Sequence, residues 1–148
     1  MKILAENKKV GFDYQILERF EGGLVLTGQE VKSIRTGKVS LKGAFVVFKG
    51  EEPYLINATI PPYQPKNAPK DYDPERTRKV LLKKKEIKYL LGKSKEKGLT
   101  LIPLMLYDRS GKIKVEIVLA KGKKKEDKRE EIKKREVERE IRRFLKRG

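Results

Sequence analysis

A chain of 148 residues has room for one compact domain and one appendage. Its charged residues make up 40% of the total and leave a formal net charge of +17, a balance that favours a polyanionic partner, nucleic acid before an anionic membrane. With no Cys and no His, the chain excludes disulfides, the usual zinc, copper and haem ligand sets, and thiol or imidazole catalysis. No apolar run reaches the length of a signal-peptide core or a membrane span, so the expected location is the cytoplasm.

Residues 1–11 form a basic arm, with Asn7, Lys8 and Lys9 ahead of Gly11. From Phe12 the pattern turns strand-like, because Phe12, Tyr14 and Ile16 alternate with Asp13 and Gln15. Glu21-Gly22-Gly23 is a turn signal leading into the short apolar run Leu24–Leu26. Thr27-Gly28-Gln29-Glu30 then reads as a capping box opening a short helix. Val31 and Ile34 share its apolar face, Lys32 and Arg35 a basic one, and Gly37 suits the position after its end. That helix is expected to plug a small barrel.

Val39–Leu41 could form a short strand, and Ala44–Phe48 with Tyr54–Ile60 reads as a hairpin around Glu51-Glu52-Pro53. Five of the seven prolines fall between Pro61 and Pro74, which makes this segment an exposed loop. Asp73 is expected to cap a helix with Pro74 at its first position. Glu86 to Lys97 looks helical, with Ile87, Leu90, Leu91 and Ser94 on one stripe and Gly98 at its end. Leu99–Tyr107 and Lys112–Ala120 form the clearest strand pair, joined by Asp108-Arg109-Ser110-Gly111. Ile113, Val115, Ile117 and Leu119 face one way and Lys114 and Glu116 the other, and Pro103 marks an edge or a bulge.

From Lys121 the composition changes. The last 28 residues hold 14 basic and 7 acidic side chains, a surplus of +7 with few large apolar residues. Residues 1–120 are therefore expected to form the barrel and 121–148 a basic tail, disordered alone and helical along an anionic surface. The fold class that follows is mainly β with flanking helices: a small antiparallel barrel of oligonucleotide-binding (OB) type, with about six strands and three helices, plus the tail. Composition and spacing carry the argument to a basic RNA- or DNA-binding barrel and do not choose between the two.

Several stretches go further. Glu21 to Arg35, Asp73 to Leu82, Lys97 to Leu104, Lys114 to Lys124 and Asp127 to Glu130 closely resemble, in order, the motifs of the SsrA-binding protein family, small protein B (SmpB). The resemblance implies an OB-type barrel flanked by three helices that binds the tRNA-like domain of transfer-messenger RNA (tmRNA). It implies delivery of alanylated tmRNA to ribosomes stalled with an empty decoding site, in concert with elongation factor Tu and GTP. The tail would enter the vacant messenger channel as a helix, and no reaction or cofactor would belong to the protein itself. Carried over as tmRNA contacts are Asn7, Lys8, Glu21, Leu81 and Lys114. Lys8 and Lys114 suit phosphates, while Asn7 and Glu21 suit the edges of splayed loop bases. Arg76, Arg78 and Lys79 join them on charge clustering beside Leu81. Ribosome engagement is carried over to Lys123, Lys124, Asp127, Lys128 and Arg129. Phe12 departs from the family, whose members usually place His there.

Each of these residues also has a plainer reading. Taken alone, Glu30 is a capping carboxylate, Glu21 a solvated turn residue, Leu81 core and Lys114 the wet side of a strand. Two rival functions stand beside the family reading. One is a Mg²⁺-dependent nuclease using Asp71, Asp73 and Asp108; the other is a generic tRNA- or rRNA-binding protein of the same fold.

Overall fold

The computed structural model describes residues 1–123, 135, 136 and 139–143. In chain order the elements are β1 (Lys2–Glu6), α1 (Val10–Asp13), β2 (Tyr14–Leu24), α2 (Gly28–Arg35), β3 (Phe45–Lys49), β4 (Glu52–Ile56), β5 (Arg78–Leu81), α3 (Lys84–Lys93), β6 (Leu99–Arg109) and β7 (Lys112–Gly122). Strand order is β1-β6-β3-β4-β5-β2-β7, and β6 also pairs with β7. Six strands therefore close into a ring and β1 is added outside it, with every pairing antiparallel.

The β6–β7 hairpin is the spine. Ten residue pairs run from Leu99 opposite Lys121 to Arg109 opposite Lys112, with the register slipping between Pro103 and Met105. That slip is the bulge expected at Pro103, which has no N–H to give the ladder. Val115, Ile117 and Leu119 point into the main core with Ile34, Leu55, Leu90 and Leu101. The outer face of β7 is not wet throughout. Val118 and Ala120 are buried under Val10 of α1, together with Ile102.

The two longer helices close the barrel. Thr27 Oγ1 accepts the Glu30 N–H at 3.3 Å and Glu30 Oε1 accepts the Thr27 N–H at 2.8 Å, which is the capping box. Ile34 of α2 is fully buried, worth roughly 1.5–3 kcal/mol of apolar transfer. Gly37 follows the helix at φ 79°, a left-handed conformation that glycine adopts without a Cβ clash. α3 buries Leu90 completely, keeps Ile87 and Leu91 half-buried, and is shorter than the expected Glu86–Lys97 helix.

Four local expectations are corrected. Residues 2–6 are a strand rather than a free arm, because β6 extends past β3 and leaves an open edge at Met105–Asp108 on which β1 pairs. Phe12 lies in the one-turn α1, so β2 begins at Tyr14. Val39–Leu41 contributes only an isolated bridge, Ser40 to Thr59. Asp73 starts no helix: its Oδ1 accepts the Glu75 N–H at 2.9 Å in a local turn, and Pro74 O accepts the Ile60 N–H.

Candidate nucleic-acid interface

A groove of about 400 Å³ opens where α2, β5 and the hairpin end of β7 meet β2, lined by Gly23, Leu24, Leu81, Lys112 and Lys114, among others. Close backbone approach makes it. A Cβ on Gly22 would stand 3.0 Å from both Leu81 O and Leu82 Cδ2, so any larger residue would press β2 away from β5 by a few tenths of an ångström. Gly23 then faces Leu81, and Leu81 is left 51% exposed on the rim. Gly23 is also registered with Lys114, which places an apolar rim and a cation on the two sides of one strand. Such a surface offers van der Waals contact for a base or ribose and a point charge for a phosphate.

Glu21 sits two residues before Gly23 on β2 and is oriented from β6. The Tyr107 hydroxyl donates to Glu21 Oε2, and Arg109 Nη1 lies 2.8 Å from the same oxygen. Burial, then the hydrogen bond to Glu21, pushes the Tyr107 hydroxyl up to about 12, so it remains a donor at neutral pH. The opposite wall is fastened by Arg35, which pairs with Asp108 and donates to Gly111 O at 2.8 Å. The Arg35 hydrogen bond holds the Asp108 carboxyl below its ordinary range.

The groove is lined by Leu81 and Lys114, Glu21 lies outside its lining two residues along β2 from Gly23, and Asn7 and Lys8 lie elsewhere. They line a separate cleft of about 570 Å³ with Tyr14, Leu41 and Phe45. The Asn7 amide donates to Leu41 O at 3.1 Å and Pro103 O at 3.3 Å, pinning β1 to β6, while Lys8 is exposed.

The charge cluster beside Leu81 is not the surface that its sequence suggests. Arg78 is 0% exposed; it pairs with Glu30 at 2.7 Å and donates to Ala58 O at 2.8 Å and Pro74 O at 2.9 Å. Arg76 pairs with the other Glu30 oxygen at 2.6 Å and donates to Val25 O, and Lys79 reaches Glu52 at 3.2 Å. Arg78 is therefore closed to RNA, contrary to the expectation from charge clustering. Arg76 and Lys79 remain partly exposed, each already set against a carboxylate. The residue that sequence reasoning missed here is Glu30, more than a cap: it receives both arginines and ties α2 to β5. Burial raises its pKa, but hydrogen bonds from Arg76, the Thr27 N–H and Arg78, with the Arg78 charge, outweigh burial and lower it overall.

Lys123 fastens the root of the tail. Its N–H donates to Asp13 O and its Nζ to Gly11 O, both at 3.0 Å. Beyond it, Arg135 lies with its guanidinium carbon 5.0 Å from the centre of the Phe12 ring, and residues 135, 136 and 139–143 have helical backbone. Lys124, Asp127, Lys128 and Arg129 fall outside the described residues. Of the three acids proposed for a nuclease, Asp73 serves the turn at Glu75 and Asp108 serves Arg35. Among the described residues no three acidic side chains gather as a metal site, and no helix is long and apolar enough to cross a membrane.

The family model described as SmpB protein matches residues 4–147. The SsrA-binding protein of Acaryochloris marina is 51% identical over 147 residues, covering 99% of this chain and 96% of its own length. That of Thermosipho melanesiensis is 53% identical over 147 residues, covering 99% of each. A solved structure described as "tmRNA-SmpB: a journey to the center of the bacterial ribosome" contains a chain 46% identical to this one, with a TM-score of 0.70. That match covers 89% of this chain and 95% of the other. With motif order, closed barrel and full-length similarity in agreement, the chain belongs to the SmpB protein family.

Proposed function

We propose that this protein binds the tRNA-like domain of tmRNA, the SsrA RNA, and delivers it to stalled ribosomes for trans-translation. The observation that carries this reading is the full-length match to SsrA-binding proteins together with the matching barrel of the tmRNA–SmpB structure. The groove fits it chemically. Glu21 accepts hydrogen bonds from the edges of loop bases, Leu81 packs against a splayed base or ribose, and Lys114 takes a phosphate. Asn7 and Lys8 add a contact at the second cleft. Lys123, Lys124, Asp127, Lys128 and Arg129 lead the tail into the empty messenger channel, where it forms a helix along ribosomal RNA. Elongation factor Tu with GTP joins through alanylated tmRNA, the setting is the cytoplasm, and the protein contributes binding and placement rather than catalysis.

Competition binding tests the reading. The tRNA-like domain of tmRNA is expected to displace bound probe at lower concentration than an elongator tRNA does. Equal competition would reduce the protein to a general tRNA binder. Truncation after Lys123 is expected to leave tmRNA affinity nearly intact while abolishing tagging of stalled chains; a truncated protein that still tags would refute the tail's part.

A further inference from the structure

We propose that the outer face of α3 is a second RNA-binding surface, taking the phosphate backbone of the same tRNA-like RNA where it continues past the groove. The proposal rests on the groove holding that RNA. Residues 83–97 carry seven lysines against two glutamates. Both glutamates are engaged within the segment: Glu86 Oε1 accepts the Lys83 N–H at 3.2 Å, and Glu96 pairs with Lys93 at 3.3 Å. Lys83, Lys84, Lys85, Lys88, Lys95 and Lys97 are exposed, and among the described residues no carboxylate pairs with any of them. Every arginine within residues 1–123, by contrast, lies against a carboxylate.

Of these lysines, Lys84, Lys85 and Lys88 belong to α3, and all three are exposed. Leu90 is fully buried and Ile87 and Leu91 are half-buried, so the helix is fixed by its apolar side while Lys85 and Lys88 lie off that side in solvent. Lys84 and Lys85 also occupy the first turn, where the helix dipole disfavours cations. An external anion laid across them cancels that repulsion. Lys84 and Lys88 stand one turn apart on one face, about 6 Å along the axis, close to the separation of neighbouring phosphates on a strand. Lysine suits that role, as a compact charge on a flexible stem without the fork that arginine uses for carboxylates.

Continuity selects the occupant. Leu81 stands on the groove rim, and Lys83 follows it two residues later. In α3, Leu90 enters the main core and the Tyr89 ring centre lies 6.2 Å from that of Phe20 on β2; the chain then reaches Leu99, at the end of the β6–β7 ladder away from its turn. The lysines thus begin beside the apolar Leu81 rim, across Gly23 from Lys114, and on this proposal they take the backbone of an RNA arm seated between the two.

The test uses the full-length protein and the isolated tRNA-like domain, with affinity measured from low to moderate salt. The triple variant Lys84→Gln, Lys85→Gln, Lys88→Gln is expected to flatten the log–log salt slope by about two to three units, at roughly 0.7–0.9 per phosphate. Changing the same three lysines to arginine is expected to keep the wild-type slope. A second triple, Lys38→Gln, Lys49→Gln, Lys70→Gln, removes equal charge from scattered exposed positions and is expected to leave the slope unchanged. Circular dichroism and the melting midpoint confirm that each variant folds. The proposal is overturned if the α3 triple keeps the wild-type slope, or if both glutamine triples flatten it equally. It is also overturned if the α3 effect appears with ribosomes and not with the isolated RNA. Lys114→Ala is run alongside: if it still weakens binding while the α3 triple does not, only the α3 surface fails. If the wild type shows no preference for the tRNA-like domain, the groove reading fails instead.

Discussion

Two cationic regions lie within a few residues of each other and behave in opposite ways. Arg76 and Arg78 turn onto Glu30, and Arg78 is sealed inside with its guanidinium on a carboxylate and two carbonyls. The lysines that begin at Lys83 turn outward and, among the described residues, all but Lys93 lack a carboxylate. Positive side chains therefore serve cohesion in one place and stay in solvent in the other. The difference follows from side-chain chemistry, since a planar fork satisfies a buried carboxylate at two points and an ammonium group keeps its hydration until a phosphate replaces it.

That contrast can be broken most severely at Glu30. Glu30→Ala leaves Arg78 buried without its counter-charge and is expected to cost about 3–5 kcal/mol of stability in chemical denaturation. A loss below about 1 kcal/mol would mean that Arg78 finds other partners. Arg78→Lys keeps the charge but leaves acceptors in a buried site unmet, with an expected cost of about 1–3 kcal/mol; a neutral outcome would erase the distinction between fork and point charge. Acid sharpens the same point. The Glu30 pKa is lowered from its ordinary 4.5, so its stabilisation is present above that value and is lost as pH falls through the folded-state pKa. Glu30→Gln is expected to flatten the acid limb of a stability-against-pH curve, and an unchanged limb would assign acid unfolding to other groups. The smallest effects on folding belong to the outward cations. Lys114→Ala is expected to shift stability by less than about 0.5 kcal/mol while lowering the RNA salt slope by about one unit. A shift in stability without a change in slope would place Lys114 with the arginines.

Local signals told most of the elements correctly. The alternation from Ile113 to Leu119, the turn at Asp108–Gly111, the capping box at Thr27 and Gly37 after α2 each depend on residues a few positions apart. The direction of Arg78 does not. It depends on Glu30, 48 positions earlier, and the alternation of β5 would have allowed either face. Closure was hidden for the same reason: Gly23 meets Leu81, and β1 finds its place only because β6 outruns β3. Among the proposed RNA contacts, the motif pattern names Glu21, Leu81 and Lys114, and nothing near Glu21 in the chain announces that Tyr107 and Arg109 hold its carboxylate.

The ring is not equally thick all the way round. β2, β7 and β6 are joined by long ladders, whereas β3 touches β6 through one residue pair and β5 touches β2 through two. The β3–β4–β5 segment therefore hangs between two narrow seams, with the Glu30–Arg78 bond as a clasp beside one of them. Amide exchange should reveal these seams as the first part of the barrel to open, well before the β6–β7 ladder does. A molecule built this way can yield along one side while its spine stays whole, which gives the groove at the β2–β5 seam a way to adjust its width to what it holds.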